Sequence, residues 1–110
     1  MPDSTPAVVT RYLEAADKRD STALADCFTP DGTVLDEGHT YTGREQIAGW
    51  REALAAKFTY TSTVTASMPV NEHEYRVGAR VEGDFPGGVA DLTFDFVLAG
   101  DLIGHLKIGA

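Results

Sequence analysis

Hydrophobic residues recur every three or four positions near the start of the chain, and this spacing predicts two amphipathic helices. The first begins at Pro6, since proline is well tolerated at a first helical position, and ends near Arg19. Tyr12 lies on or beside the buried stripe of this helix, so its hydroxyl needs a hydrogen-bond partner. The second helix is short and is capped by Asp20 or Ser21.

A turn, a short strand pair and a third helix are predicted next. Residues 29–32 read Thr-Pro-Asp-Gly and predict a turn, because proline and glycine stand at type I turn positions. Residues 33–43 carry an apolar run, an acidic pair and a glycine turn, and predict the strand pair. Thr42-x-x-Glu45 is a capping-box pattern for a helix that runs to about Lys57. The inward stripe of that helix comprises Ile47, Trp50 and Leu54.

The second half of the chain alternates apolar and polar residues, which predicts four long antiparallel strands. The first of them, over residues 58–68, is expected to be half-buried, and turns are expected at 69–72, 86–88 and 99–101. We therefore expect one α+β domain over residues 1–110, with three helices on one face of a curved antiparallel sheet. A curved sheet closed by helices encloses a pocket, which typically takes small apolar ligands.

Charge and composition exclude several functional classes. The net charge of −8 leaves no basic patch for phosphates, so neither nucleic acid nor an anionic membrane surface is an expected partner. No apolar run approaches the roughly 20 residues of a membrane span, and no signal-peptide pattern is present, so a cytoplasmic location is expected. Cys27 is the single cysteine and is interpreted as a buried small side chain. The three histidines are scattered, so no metal site is expected.

Asp36 is the first candidate for chemistry. It shares a strand face with Val34, because side chains of a strand alternate between its two faces. If Val34 points into the core, Asp36 loses water and its pKa rises, which suits a general base. If Leu35 points into the core instead, Asp36 faces water. Trp50 faces inward and either packs in the core or lines a ligand site.

Several short motifs spread over nearly the whole chain resemble the nuclear-transport-factor-2-like superfamily, in its SnoaL-like and ketosteroid-isomerase-like branch. The marks of the resemblance are Val9-x-x-Tyr12-x-x-Ala15, Asp20, Phe28-x-x-Asp31, Val34-x-Asp36, Thr42-Gly43, Phe94-x-Phe96 and the hairpin Gly100-Asp101-Leu102-Ile103. The resemblance implies a cone-shaped barrel of a curved sheet and three helices, an apolar pocket, and a homodimer formed through the outer sheet face. The Thr/Ser row of residues 59–65 is a candidate for that dimer contact.

The resemblance also implies roles for individual residues. In steroid isomerases of this superfamily an Asp moves a proton while a Tyr and a protonated acid stabilise the oxyanion, with no cofactor. Carried over, the catalytic base is Asp36 and the oxyanion donor is Tyr12. The second acid falls on Leu92, which cannot donate a hydrogen bond. The residues expected to bind an apolar, steroid-like or polyketide-like ligand are Phe28, Tyr41, Trp50, Leu92, Phe94, Phe96 and His105.

Two questions stay open at the level of sequence. His105 faces the pocket only if the last hairpin aligns without a gap, and otherwise Leu106 takes that place. The function is either an isomerase or cyclase that abstracts a proton beside a carbonyl, or a ligand-binding or protein-interaction domain without catalysis. Leu92 favours the second interpretation, because removal of one oxyanion donor costs on the order of 10²–10³ in rate.

Overall fold

The computed structural model describes residues 5–109. In this part of the chain three helices cover one face of a six-stranded sheet. The elements in chain order are α1 (Ala7–Asp17), α2 (Ser21–Ala25), β1 (Phe28–Asp36), β2 (His39–Thr42), α3 (Gly43–Lys57), β3 (Tyr60–Pro69), β4 (Glu74–Gly83), β5 (Val89–Ala99) and β6 (Leu102–Gly109). The three helices, the short strand pair and the four long strands that the sequence predicts are all present.

The strand order in the sheet is β2-β1-β6-β5-β4-β3. Strands β3 to β6 pair antiparallel as predicted, but β1 lies parallel to β6, so the sheet is mixed rather than wholly antiparallel. The sheet is curved and not closed, because β2 and β3 are its two edges and do not pair with each other. The α+β architecture is therefore confirmed, while the barrel that the resemblance implies is open.

Residues 29–32, predicted as a turn, instead lie inside β1. The register of β1 against β6 shifts between Phe28 and Thr33, so these residues form an irregularity in the strand. Gly32 packs tightly there, since an added Cβ would lie 3.0 Å from the Phe28 Cβ and 3.2 Å from the Ile103 carbonyl oxygen. The predicted capping box is also replaced, because the side chain of Gln46, and not of Glu45, accepts a hydrogen bond of 2.9 Å from the Thr42 N–H.

Strand β3 contains a bulge that reverses its faces. Val64 lies opposite Ala79 and Ala66 lies opposite Gly78, so Thr65 is an extra residue. Directly opposed residues share a face, and Met68 therefore lies beyond the bulge on the outer face with Arg76. The prediction of a half-buried strand is wrong, because β3 is the edge strand and all its residues after the first are exposed.

The core lies between the helices and the inner face of the sheet. Strand β4 alternates buried and exposed residues almost throughout, as predicted. On the outer face its Arg76 pairs with Asp95 at 2.6 Å and its Arg80 pairs with Asp91 at 3.0 Å. Cys27 is buried, as predicted, and its thiol lies 3.5 Å from the Ala23 carbonyl oxygen. Within residues 5–109, no helix is long and apolar enough to cross a membrane.

Candidate functional site

A cavity of about 880 Å³ lies between α1, α3 and the inner face of β3, β4 and β5. This volume is in the range of sites that enclose a drug-sized ligand. Most of its wall is apolar, with side chains that include Leu13, Leu54, Ala79, Val81, Leu92 and Phe94. The polar and charged groups on the wall define what the cavity can do.

Asp36, the last residue of β1, lies on the cavity wall. Val34, two residues earlier, is fully buried, so the alternation of the strand turns Asp36 to the same inner face. The indole Nε1–H of Trp50 donates a hydrogen bond of 3.0 Å to Asp36 Oδ2. Burial raises the pKa of the Asp36 carboxyl above its ordinary value, and the Trp50 hydrogen bond partly opposes that rise. A carboxylate so placed is suited to accept a proton from a bound molecule.

Trp50 lines the cavity and is held from behind by Tyr41. The two rings stack with their centroids 5.9 Å apart and an interplanar angle of 30°. Tyr41 lies opposite Val34 in the sheet and therefore on the same inner face. It does not line the cavity itself. The stacking of Tyr41 on Trp50 therefore helps to hold the indole N–H in position to donate to Asp36.

Tyr12 of α1 is only 1% exposed and its side chain lies on the cavity wall. Within the described part of the chain its hydroxyl has no hydrogen-bond partner. Burial raises the pKa of this hydroxyl well above its ordinary value, so it is a neutral donor at physiological pH. An unpaired buried hydroxyl is costly, and a ligand oxygen in the cavity would relieve that cost.

Three aromatic rings from the sheet support Tyr12 edge-on. The ring centroid of Tyr12 lies 6.1 Å from that of Phe28, 5.3 Å from that of Phe96 and 6.4 Å from that of Phe94. Phe94 lines the cavity, whereas Phe28 and Phe96 are fully buried behind Tyr12 and do not. These two rings therefore set the position of the hydroxyl and not the shape of the cavity.

Ala90, Leu92 and Phe94 form the wall that β5 contributes. Leu92 has no group that can donate a hydrogen bond. Its neighbour Asp91 points to the outer face, where it accepts from Arg80. The sheet side of the cavity therefore offers apolar contact only at this point.

His105 of β6 lies on the outer face and outside the cavity. Its Nδ1 is 2.6 Å from the Thr33 hydroxyl, and its neighbour Leu106 is fully buried on the inner face. Of the two alignments that the sequence left open, the final hairpin therefore has the shifted one, which turns Leu106 and not His105 to the inner face. Of the residues expected to bind ligand, Trp50, Leu92 and Phe94 line the cavity, while Phe28, Tyr41, Phe96 and His105 do not.

The hydrogen-bonded pair of Arg51 and Tyr60 on the cavity wall was not predicted from the sequence. Arg51 of α3 donates a hydrogen bond of 2.9 Å from Nη2 to the hydroxyl of Tyr60 at the start of β3, and both residues line the cavity. The guanidinium of Arg19 lies 5.9 Å from the centroid of the Tyr60 ring. A signal was available, because Arg51 precedes Leu54 and Phe58 at helical spacing and so borders the inward stripe.

Metal-ligating side chains do not gather anywhere in residues 5–109. No group of three or more His, Cys, Asp or Glu residues is arranged there to hold a metal ion. The chemistry available to the cavity from the described residues is thus that of three carboxylates, two tyrosines, two aliphatic hydroxyls, an indole N–H and two arginines.

Residues 9–100 match the family model of the SnoaL-like domain. A structure of a candidate polyketide cyclase from Sinorhizobium meliloti is similar to this chain, with 32% identity, a TM-score of 0.90, and coverage of 96% of this chain and 95% of that one. No curated protein matches the chain significantly.

Two further structures are similar and hold small molecules. A protein of ketosteroid-isomerase-like fold from Catenulispora acidiphila, solved in complex with trimethylamine, is 26% identical, with a TM-score of 0.87 and coverage of 97% of this chain and 87% of that one. A Mycobacterium tuberculosis protein in complex with estradiol-17β-hemisuccinate is 14% identical, with a TM-score of 0.78 and coverage of 94% and 90%. At that identity the second similarity shows the fold alone.

Proposed function

This chain belongs to the SnoaL-like family of the nuclear-transport-factor-2-like superfamily, and from that premise we propose that its cavity binds a small apolar carbonyl compound and promotes proton transfer beside the carbonyl. The observation that carries the proposal is that one cavity is lined both by Asp36 and by Tyr12, whose buried hydroxyl has no hydrogen-bond partner among residues 5–109. The first group is suited to take a proton, and the second to stabilise the oxygen that gains charge.

In the proposed reaction the carboxylate of Asp36 removes a proton from the carbon next to the carbonyl. The C–H electron pair forms a carbon–carbon double bond, and the carbonyl π electrons move to oxygen, which gives an enolate. Tyr12 donates a hydrogen bond to the enolate oxygen. Asp36, now a carboxylic acid, returns the proton to the same or another carbon, so that the enzyme ends in its initial state. Isomerisation and cyclisation of a polyketide-like compound both begin with this step.

The experiment that tests the proposal measures hydrogen exchange at the α-carbon of a panel of apolar ketones in D₂O by NMR. Asp36→Asn is expected to slow exchange by about 10²-fold or more, since general bases contribute on that order. Asp91→Asn is the matched control, because it makes the same change on the outer face of the sheet. Equal exchange with wild type and Asp36→Asn would remove Asp36 as the base.

A second candidate function is ligand binding without catalysis, and Leu92 is the observation that favours it. The wall opposite the helices offers an apolar side chain where the resemblance requires a second acid. This alternative predicts that an apolar ketone binds to the wild type and to Asp36→Asn alike, with no exchange above the buffer rate in either.

We also propose that the protein forms a homodimer through the outer face of the sheet. Met68, Val89 and Val97 are exposed, large and apolar, and the pairing of the strands places them on that face beside the Arg76–Asp95 and Arg80–Asp91 pairs. Analytical ultracentrifugation of the wild type and of Val97→Glu tests this arrangement. A wild type that remains monomeric at high concentration contradicts it.

A further inference from the structure

Two arginines line the largely apolar cavity, and Arg51 is the less exposed of the two, since Arg19 is exposed to solvent. Arg51 is half-buried, and its Nη2 donates to the Tyr60 hydroxyl at 2.9 Å. A guanidinium has five N–H donors, and Tyr60 accepts from one of them. The phenol thus holds the side chain in one orientation on the wall without neutralising its charge.

No carboxylate among residues 5–109 pairs with Arg51. The side-chain ion pairs of this part of the chain join Arg76 to Asp95 and Arg80 to Asp91, both on the outer face. Two of the acids that line the cavity, Asp17 and Glu37, are exposed and therefore hydrated. The third, Asp36, accepts from Trp50 and lies beyond ion-pairing distance of Arg51.

Arg51 and Asp36 both contact the same indole ring, Arg51 over the ring and Asp36 at its N–H edge. The guanidinium carbon of Arg51 is 5.2 Å from the centroid of the Trp50 ring, whose N–H donates to Asp36. Burial raises the pKa of Tyr12 and of Asp36, and the charge of Arg51 opposes the rise at both groups. The positive field of Arg51 thus extends to the position where an oxyanion would meet Tyr12.

We propose that Arg51, oriented by Tyr60, is the anion-binding group of the cavity, so that the preferred ligand is an apolar molecule with one anionic oxygen group, a carboxylate or an ionised enol. This inference rests on the proposed function, because it assumes that the cavity takes an apolar ligand. Arginine suits the role, since its planar fork matches the geometry of a carboxylate and its charge strengthens each hydrogen bond.

The test compares two probes of the same shape, naphthalene-2-carboxylate and the uncharged naphthalene-2-carboxamide, by isothermal titration calorimetry. The wild type is expected to prefer the carboxylate. Arg51→Met is expected to weaken carboxylate binding by about tenfold or more, the loss of one charged hydrogen bond, and to change carboxamide binding by less than about twofold. Arg51→Lys is expected to restore part of the loss.

Arg80→Met is the matched control, because it removes the same charge from the outer face of the sheet. It is expected to leave the affinity for both probes unchanged. Tyr60→Phe is expected to weaken carboxylate binding less than Arg51→Met does, since it frees the guanidinium but keeps its charge. Unchanged carboxamide binding in all four variants shows that the cavity is intact.

The pH at which bound 2-naphthol ionises distinguishes the two possible anionic groups, a carboxylate and an ionised enol. If the site accepts ionised enols, bound naphthol ionises at a lower pH in the wild type than in Arg51→Met. A response of the carboxylate alone identifies a carboxylic acid as the ligand class, and a response of the naphthol alone identifies an enol.

Three outcomes contradict the proposal. Equal losses for carboxylate and carboxamide in Arg51→Met would assign Arg51 a purely structural role. Unchanged affinity for both probes, with unchanged naphthol ionisation, would remove it from ligand binding. Failure of the wild type to bind the carboxylate or the naphthol would overturn this inference, whereas the proposed function is tested separately by hydrogen exchange with the ketone panel.

Discussion

The Trp50 indole N–H donates a hydrogen bond of 3.0 Å to the Asp36 carboxylate, while the ring of Tyr41 stacks on the indole at 5.9 Å. The three side chains come from α3, β1 and β2, so the interaction joins the helix to the edge of the sheet that β2 forms. It favours the ionised form of a carboxyl group whose pKa is raised by burial. Trp50 therefore opposes the effect of burial on the pKa of Asp36.

Trp50→Phe is expected to raise the pKa of Asp36 further, because it removes the hydrogen bond that favours the carboxylate while burial continues to disfavour it. A ¹³C NMR titration of the aspartate carboxyl groups measures this change. Asp91 provides an internal control, since Arg80 lowers its pKa on the outer face and the substitution leaves that pair intact. An unchanged or lowered pKa of Asp36 would show that the hydrogen bond does not influence its ionisation.

Asp36→Asn is expected to stabilise the fold at neutral pH. Because burial raises the pKa of Asp36 in the folded state, its charged form costs stability, and the cost develops as the pH rises through the unfolded and then the folded value. The amide oxygen of Asn can still accept from Trp50. The free energy of unfolding is expected to exceed that of the wild type by roughly 0.5–1 kcal/mol at neutral pH, and to approach it in acid.

Urea denaturation over a range of pH measures this difference. Asp91→Asn is the matched control with the opposite sign, since Arg80 lowers the pKa of Asp91 and the pair is formed only above that value. A difference between Asp36→Asn and wild type that does not vary with pH would contradict the linkage.

The periodicity of the sequence predicts the existence of the helices and the four long strands, and most of these elements bury one side of a regular repeat, although the edge strand β3 does not. The alternation Val34-x-Asp36 likewise leads to the observed inner position of Asp36, since Val34 is fully buried. These inferences succeed because they depend on local geometry. They need only the spacing of apolar residues within one element.

Features that depend on distant contacts were not predictable in this way. The bulge at Thr65 turns Ala66 and Met68 to the outer face, and it is specified by pairing with β4 rather than by the pattern of β3. The parallel pairing of β1 with β6 joins segments about 70 residues apart. The position of Arg51 on the cavity wall was not predicted, because a charged residue beside an inward stripe is usually solvated. Its orientation toward the cavity depends on the hydrogen bond to Tyr60, which lies on another element.

Tyr12→Phe is expected to make the protein more stable and less active. The substitution removes a buried hydroxyl that has no partner among the described residues, and such groups cost about 1–3 kcal/mol. The phenyl ring keeps its contacts with Phe28 and Phe96. Urea denaturation is expected to show the gain, and ketone exchange is expected to fall by on the order of 10²-fold. Lower stability would indicate that the hydroxyl is satisfied in solution.

Gly83→Ala is expected to destabilise the end of the sheet that holds Tyr60. An added Cβ at Gly83 would collide with the Thr59 carbonyl oxygen and with the backbone and Cβ of Tyr60, so the start of β3 would have to move. Overpacking of this kind costs about 1–3 kcal/mol. Because Tyr60 orients Arg51, the variant is also expected to weaken binding of naphthalene-2-carboxylate more than that of the carboxamide.

Gly49→Ala is the matched control for this substitution. Gly49 is exposed in the middle of α3, and an added Cβ there meets nothing within 4 Å. Alanine is the better helix former, so this change is expected to stabilise the protein by about 0.4–1 kcal/mol and to leave probe binding unchanged. Thermal unfolding of both variants measures the contrast. Equal stability of Gly83→Ala and wild type would show that β3 can shift at Tyr60 without cost, and that its position there is not fixed by close packing against Gly83.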